Sequence, residues 1–586
     1  MSNKKREARK AAATAAAFAP AWHFDPRRYY WALGAFAAML AVFWAYGPAL
    51  NGPFMFDDNF LPFAVSDISV QPLSAFLQGQ RPLLMASYWL SARLAPAGDT
   101  WWFHSLNVVI HCITTCLVFF IVRRLLEWSK LGEGRRGLLA GLAAALFLLH
   151  PLQSEAVAYV AGRSDGLSAM LAFSAFAIFL YRRQGPIGWG TVAVVLVLFG
   201  AALSSKEDTI ALPGLFLLTD FWWSPGGWEG IRRNWKLYGP MVLGAAAGMA
   251  FFWNLITHAS TAGFGLKDFT WYQYLFTQFR AVFVYLGLFF FPANLTLDWD
   301  FPISHTLFEH AAIVGLVFLL ALIVAAWLLR HRFPLACYGF YAFLILLSPT
   351  SSILPIRDPL AERRMYFAIL GLLLILVEAM ARLKLERKVL TAAGLAVLML
   401  AAIVTHARAE VWSNTVAIWE DTVRKSPGAW RPHFQLGFAY FSAQPQQCDK
   451  SLAEFEKAGA RHSNDPDLLL DWGLAYDCLN RPEEALHKLE ASAVLKPTAH
   501  AFSQIGMELG KLEKWPDALN ALNAAVQMDP NFPDTYVYFG IVHTRTNQLV
   551  LAVQDFRKAL QLDPDNSRAR QFLQTVATQL NARQGR

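Results

Sequence analysis

The alternation of apolar and polar positions divides the chain in two near Trp412. From Tyr29 to Arg408, apolar runs recur at 30 to 50, 102 to 122, 138 to 157, 165 to 181, 187 to 204, 209 to 223, 237 to 256, 308 to 330, 334 to 348, 364 to 383 and 389 to 406. A helix needs roughly 20 residues to cross a hydrocarbon core, so these runs predict a polytopic helical membrane domain of about eleven spans. A further apolar stretch, 272 to 291, carries Gln278 and Arg280. A charge facing lipid is costly, so this stretch is expected to lie along the interface or to re-enter rather than cross.

Beyond Trp412 the long runs stop and a repeat begins. Gly473, Gly506 and Gly540 are spaced 33 and 34 apart, and Ala485, Ala518, Ala552 and Pro497, Pro530, Pro564 keep the same period. Small residues that let paired helices approach, followed by a turn proline at a period near 34, are the tetratricopeptide (TPR) signature. An earlier unit fits at Gly437, Tyr440, Phe455 and Ala458, and Trp419 with Pro427 reads as a half repeat. The expected architecture is therefore all-α: a tail over 1–28, a membrane domain over 29–407 with a first outside loop at 51–101, and a TPR solenoid of about four repeats over 408–586.

Composition agrees with this division: 55% hydrophobic and 16% charged residues, with a mean hydropathy of +0.32, exclude an ordinary soluble protein. The net charge of +8 is scattered in short clusters and does not form a stripe, which argues against nucleic acid. The clusters Lys4 to Lys10, Arg123/Arg124/Arg135/Arg136, Arg182/Arg183 and Arg232/Arg233/Lys236 share a side if the N-terminus is cytoplasmic. Arg330/Arg332 and Arg382 to Lys388 join them only if 272 to 291 does not cross. That places the N-terminus inside and the repeat array outside. The five cysteines form no CxxC or zinc spacing. Cys448 and Cys478 lie in adjacent hairpins, where a disulfide and two buried thiols are both open.

Under this topology the polar clusters share the outer face: Asp57 and Asp58, Gln80-Arg81-Pro82, His150 to Glu155, Gly162-Arg163-Ser164-Asp165, Ser204 to Asp208, Ser348 to Ser352, and Glu362 to Tyr366. Two carboxylates beside a membrane can supply a general base and a second ligand for a sugar or cation, or can simply make a solvated turn. Interleaved Lys and Arg suit a lipid-linked anionic substrate, although Lys206 with Glu207 or Asp208, and Arg163 with Asp165, would also serve as plain interfacial ion pairs. His104, Asn107 and His111 fall on one helix face, which suggests interhelical hydrogen bonds before any metal.

The stretches Phe54-Met-Phe-Asp-Asp58, Arg81-Pro-Leu83, Phe103-His-Ser-Leu-Asn107, His150 to Val157, Gly162 to Asp165, Ser205-Lys-Glu207 and Ala361 to Tyr366 resemble, in order, those of the transmembrane and TPR-containing O-mannosyltransferases and their bacterial relatives, membrane glycosyltransferases of the GT-C fold. The resemblance covers nearly the whole chain after the first 25 residues. It implies transfer of a sugar from a polyprenyl-phosphate-linked donor to a protein hydroxyl on the periplasmic or lumenal face of an inner or endoplasmic-reticulum membrane, with the TPR array engaging the protein acceptor. It also implies Asp57 as general base, with Asp58 positioning sugar or base. Arg363 and Lys206 would meet the leaving phosphate, with Arg81, Arg163 and Arg280 in reserve; Asp165, Glu207, Glu362 and Tyr366 would complete the donor site, supported by His104, Asn107, His150 and Glu155. A divalent metal is possible but not required. Two departures stand out: animal members carry more repeats, and Gln153-Ser154 stands where His-Thr is more usual. The competing readings are a non-catalytic membrane scaffold and a surface-polysaccharide ligase or polymerase.

Overall fold

The computed structural model describes residues 26–63, 71–96, 99–183, 185–258 and 262–584, and among these the regular elements are all helices. The N-terminal tail expected over 1–28 falls almost wholly outside the described residues, as do 64–70 and 97–98 of the 51–101 loop. The longer helices that precede the repeats are α1 (Pro26–Tyr46), α2 (Pro82–Leu94, in the loop), α3 (Trp101–Trp128), α4 (Arg136–Leu149), α5 (Arg163–Arg182), α6 (Trp189–Leu203), α7 (Leu212–Trp223), α8 (Trp235–His258), α9 (Trp271–Phe290), α10 (Ala312–Leu329), α11 (Pro334–Leu347), α12 (Met365–Arg382) and α13 (Arg387–Val411).

Each of the eleven predicted spans is helical, and among the described residues six helices are long and apolar enough to cross alone: Ala32–Asn51, Trp101–Trp128, Arg163–Arg182, Glu309–Leu329, Glu362–Arg382 and Arg387–Val411. Pro151 ends α4 at His150, and the chain resumes as Pro151–Ala158 bent by 49°; together the pair makes a seventh. With 15, 12 and 14 residues, α6, α7 and α11 fall short of a full crossing. Short helices are tolerated where the backbone that interrupts them lines a cavity, and here the interruptions are the polar loops at Ser204, Lys206 and Ser348.

Both ends of α9 touch loops of one face. Near its start the Tyr274 hydroxyl donates to Thr350 O, and Gln278 donates to Pro359 O at 2.8 Å. At its far end Phe289 O meets His150 Nε2 at 3.0 Å. This helix therefore runs along that face, and α10 descends from its middle, where a Cβ on Gly315 would lie 2.3 Å from Phe279 O.

The basic clusters converge at the other end of the bundle. Arg183 pairs with Asp220 at 2.7 Å and lies over the Trp128 ring, Arg233 donates to Arg183 O, and Arg135 donates to Ala381 O, Leu383 O and Leu385 O. Arg382 reaches Arg332 O. At mid-bundle α11 and α12 approach backbone to backbone: a Cβ on Gly339 would sit 2.5 Å from Gly371 O, so only glycine fits.

From α13 the chain passes into α14 (Thr415–Lys425), α15 (Trp430–Ser442), α16 (Cys448–Arg461), α17 (Pro466–Cys478), α18 (Pro482–Leu495), α19 (Ala499–Lys511), α20 (Trp515–Met528), α21 (Pro533–Arg545), α22 (Leu549–Leu562) and α23 (Ser567–Gln584). The repeat signature has a direct packing basis. In four successive hairpins a glycine of the first helix admits a bulky side chain of the second: a Cβ would meet Phe455 from Gly437, Leu522 from Gly506 and Phe556 from Gly540 at 2.6 Å each, and Leu489 from Gly473 at 2.7 Å. A disulfide, Cys448–Cys478, joins two hairpins with Cα atoms 6.0 Å apart.

Candidate functional site

Loops from both halves of the chain meet at the face opposite the basic end. The polypeptide leaves α1 through Gly47–Asn51 and turns at Phe56, which adopts φ 50°, to present Asp57 and Asp58 in opposite senses. Asp58 has no exposure; its Oδ2 accepts from Met55 N–H at 3.2 Å and its Oδ1 from Ala161 N–H at 2.8 Å. It therefore fixes the loop, and burial pushes its carboxyl up to about 8. Asp57 faces the solvent of the cleft, and its own N–H donates to the Tyr159 hydroxyl at 2.8 Å. Desolvation by the surrounding loops holds the Asp57 carboxyl above its ordinary value, opposed by Arg363, the Tyr159 hydroxyl and Arg431, and reinforced by Asp358.

The bend at Pro151 carries Glu155 into the same cleft. A Cβ on Gly162 would lie 2.6 Å from Glu155 O, so glycine is what lets the start of α5 pack against this turn. Glu155, 2% exposed, accepts from the Arg363 N–H at 2.8 Å and from its guanidinium. Arg363, with a quarter of its side chain exposed, also faces Asp358 at 3.7 Å. Asp358 then accepts from Arg431 of α15 at 2.8 Å, and Arg431 also bonds Asp298 at 2.6 Å. Burial works against the Asp358 charge, but Arg431 and Arg363 outweigh it and hold the carboxyl below its usual range.

A second group adjoins the first. Lys206 pairs with Asp165 and faces Asp208 at 3.7 Å, while Arg81 makes a two-pronged contact with Glu207 at 3.0 and 2.7 Å. Burial raises Asp208 to about 6 despite Lys206. The groups are electrostatically continuous, because Asp165 acts on both Arg363 and Arg81.

Several residues expected at the donor lie elsewhere or are fully engaged. Arg163 does not pair with Asp165: it is wholly buried and donates to Asn107 Oδ1 at 2.8 Å, Ser87 O at 2.9 Å, Ser91 Oγ at 3.0 Å and Phe103 O at 2.8 Å, over the Tyr88 ring. Arg280 sits on α9 beneath Phe301, bonded to Pro302 O and Ser304. Glu362 is 1% exposed and accepts the Thr296 N–H; Tyr366, also 1% exposed, bonds His111 at 2.8 Å. The supporting residues act as interhelical ties: His104 to Ala158 O and Gly52 O, Asn107 to Tyr159 O, and His150 to Phe289 O with a stacked ring. Sequence reasoning missed Asp358, Arg431, Asp298 and Tyr159. Only Asp358, five residues before Arg363, carried a usable signal.

The array is seated directly on this face. Trp419 packs edge-on against Phe56 at 5.5 Å, Trp412 stacks on Tyr159 at 5.5 Å, Lys425 donates to Leu295 O at 2.6 Å and Ser426 to Asp298 O at 2.6 Å. Beneath these contacts Arg408 and Asp421 form a buried pair at 2.6 Å that fixes α14 to the end of α13.

Fold and site together define an all-α membrane protein whose TPR array packs against a loop face that carries a cluster of ionisable groups. No protein-family model matches the chain. Its curated relatives include protein O-mannosyl-transferases: Tmtc1 of Drosophila melanogaster is 28% identical over 301 residues, 44% of this chain and 33% of that protein. Tmtc2 of the same fly is 28% identical over 264 residues, 42% and 27%. Human TMTC1 is 28% identical over 205 residues, 30% and 22%. The chain thus spans about a third or less of the length of these relatives. They bear out the resemblance that the ordered motifs carry. Among solved structures, YrrB, a TPR protein with an unusual peptide-binding site, is 22% identical and covers 29% of this chain and 84% of its own, with a TM-score of 0.24. At that score the likeness carries no argument.

Proposed function

We propose that the chain is a membrane glycosyltransferase of the GT-C type that moves a sugar from a polyprenyl-phosphate-linked donor to a hydroxyl of a protein acceptor on the periplasmic or lumenal face. The observation that carries the reading is Asp57, a carboxylate open to solvent within reach of the Arg363 and Arg431 charges in a cleft capped by the repeat array. Convergence of the basic clusters at the far end supports placing that end in the cytoplasm. The Cys448–Cys478 disulfide supports an oxidising compartment for the array.

In this reading the acceptor O–H gives its proton to Asp57 as its oxygen bonds the anomeric carbon. The bond from that carbon to the donor phosphate oxygen breaks, and its electron pair leaves with the phosphate. Arg363, Lys206 and Arg81 neutralise the charge that develops there. A carboxylate on one side and cations on the other suit displacement with inversion. A divalent metal is not required, because these cations already supply positive charge.

The test is the intact mass of envelope or secreted proteins from cells lacking the gene and complemented with wild type or Asp57→Asn. A hexose-sized loss restored by wild type alone supports the reading. No glycan change points to a scaffold, and loss of a surface polysaccharide with intact glycoproteins points to a ligase or polymerase.

A further inference from the structure

We infer that the repeat array completes the transferase site: Arg431, the second residue of α15 in its first full repeat, is a positioning residue that acts through Asp358 on Arg363 and Asp57. This rests on the transferase reading above and changes the role of the array within it. The array is not only a place where an acceptor docks, because part of the site's charge belongs to it.

The geometry is a relay of named contacts. Arg431 Nε donates to Asp298 Oδ2 at 2.6 Å, and its terminal nitrogen to Asp358 Oδ1 at 2.8 Å. Asp358 Oδ2 faces the Arg363 guanidinium at 3.7 Å, and the other side of that guanidinium bonds Glu155. Arg431 therefore shares one carboxylate with the cation that faces Asp57. Its own position is fixed: a Cβ on Gly428 would lie 2.2 Å from Asp300 Oδ2, and Ser426 bonds Asp298 O at 2.6 Å, so α15 starts wedged against the 298–300 loop. Planar, two-pronged contacts of this kind hold an angle as well as a distance, and lysine cannot reproduce both.

The charged and titratable groups that face Asp57 are Arg363 and Asp358 ahead of α12, Arg431 of α15, Tyr159 after the 151–158 turn and Asp58 beside it. Removing Arg431 takes away a positive charge and also frees Asp358 to act on Asp57 and to draw Arg363 from its place. Both effects make Asp57 harder to ionise. Removing the Asp358 charge does the reverse. Opposite signs from two residues in direct contact are what a purely structural bridge would not give.

The experiment uses the full-length protein in lipid nanodiscs, a synthetic short-chain polyprenyl-phosphate mannose as donor probe and a threonine-rich peptide as acceptor probe. It follows prenyl phosphate release as kcat/KM against pH. In Arg431→Ala the ascending limb should move to higher pH by about 0.5–1 unit, the size expected of one charge in a partly hydrated cleft. In Asp358→Asn it should move to lower pH. Arg431→Lys should keep the limb of the wild type with a kcat several-fold lower. Arg431→Gln replaces Arg431→Ala if the alanine variant is not folded and monodisperse. Rate losses with an unmoved limb, or shifts of the same sign in both variants, would overturn the inference while leaving the transferase reading intact. A wild type that releases no more prenyl phosphate than Asp57→Asn overturns the transferase reading, and the inference falls with it.

Discussion

Arg163 decides between two roles for a conspicuous cation, and Arg163→Ala separates them. The guanidinium bonds Asn107 Oδ1, Ser87 O, Ser91 Oγ and Phe103 O at 2.8 to 3.0 Å, all in a fully buried setting, and stacks over Tyr88 at 4.6 Å. Truncation leaves these acceptors without a partner, each at about 1–3 kcal/mol. Such losses are not additive, so the total is about 3–5 kcal/mol, at the large end for a single substitution. For a membrane domain of this size that corresponds to a fall in melting temperature on the order of 5 °C. Arg163→Lys, with a compact ammonium in place of a fork, should recover about half of the loss. The assay is thermal unfolding in detergent followed by intrinsic tryptophan fluorescence, with donor KM measured on the folded fraction. A variant that melts with wild type and shows a KM raised tenfold would refute the structural role and return Arg163 to the phosphate.

Asp57→Asn should lower transfer by about 10²–10⁴, the range typical of a lost general base, without shifting the melting temperature measured in parallel. Because desolvation raises the Asp57 carboxyl and the base must be ionised, activity should be lost as pH falls through a value above the ordinary carboxylate range; a rate profile flat well below that value would contradict this. Gly506→Ala, whose Cβ would lie 2.6 Å from Leu522 Cγ, should destabilise the array by about 1–3 kcal/mol, read as earlier loss of array helicity on heating. Reducing Cys448–Cys478, which closes a separation of 30 residues, should lower array stability by about 3–4 kcal/mol, measured by urea unfolding with and without reductant.

Much of this molecule was legible from short-range pattern. The TPR period was readable because glycine and its bulky partner recur at a fixed spacing and make the same 2.6–2.7 Å approach in each hairpin. The break in the apolar pattern of α9 was readable because Gln278 and Arg280 do not suit lipid. What escaped is long-range. Asp58 and Asp57 are adjacent in sequence and alike in chemistry, yet the left-handed turn at Phe56 buries one and exposes the other. Arg163 reads like Lys206, a cation beside an acid, but its partners come from 56, 60, 72 and 76 residues away. Arg431 was invisible as a site residue because it belongs to the array, 73 residues from the Asp358 it grips. Where α6, α7 and α11 stop was not legible either, because apolar composition does not mark helix ends.

The central claim is that Asp57 and the array-capped cleft form one transferase site. The most direct test is reconstitution of the full chain in sealed vesicles with a polyprenyl-phosphate mannose donor and a protein acceptor, followed by mass spectrometry of the acceptor. Wild type should add one hexose per modified hydroxyl with release of prenyl phosphate in equal amount, and Asp57→Asn, folded to the same degree, should add none. Equal addition by both proteins, or consumption of donor with no sugar on protein, would contradict the claim.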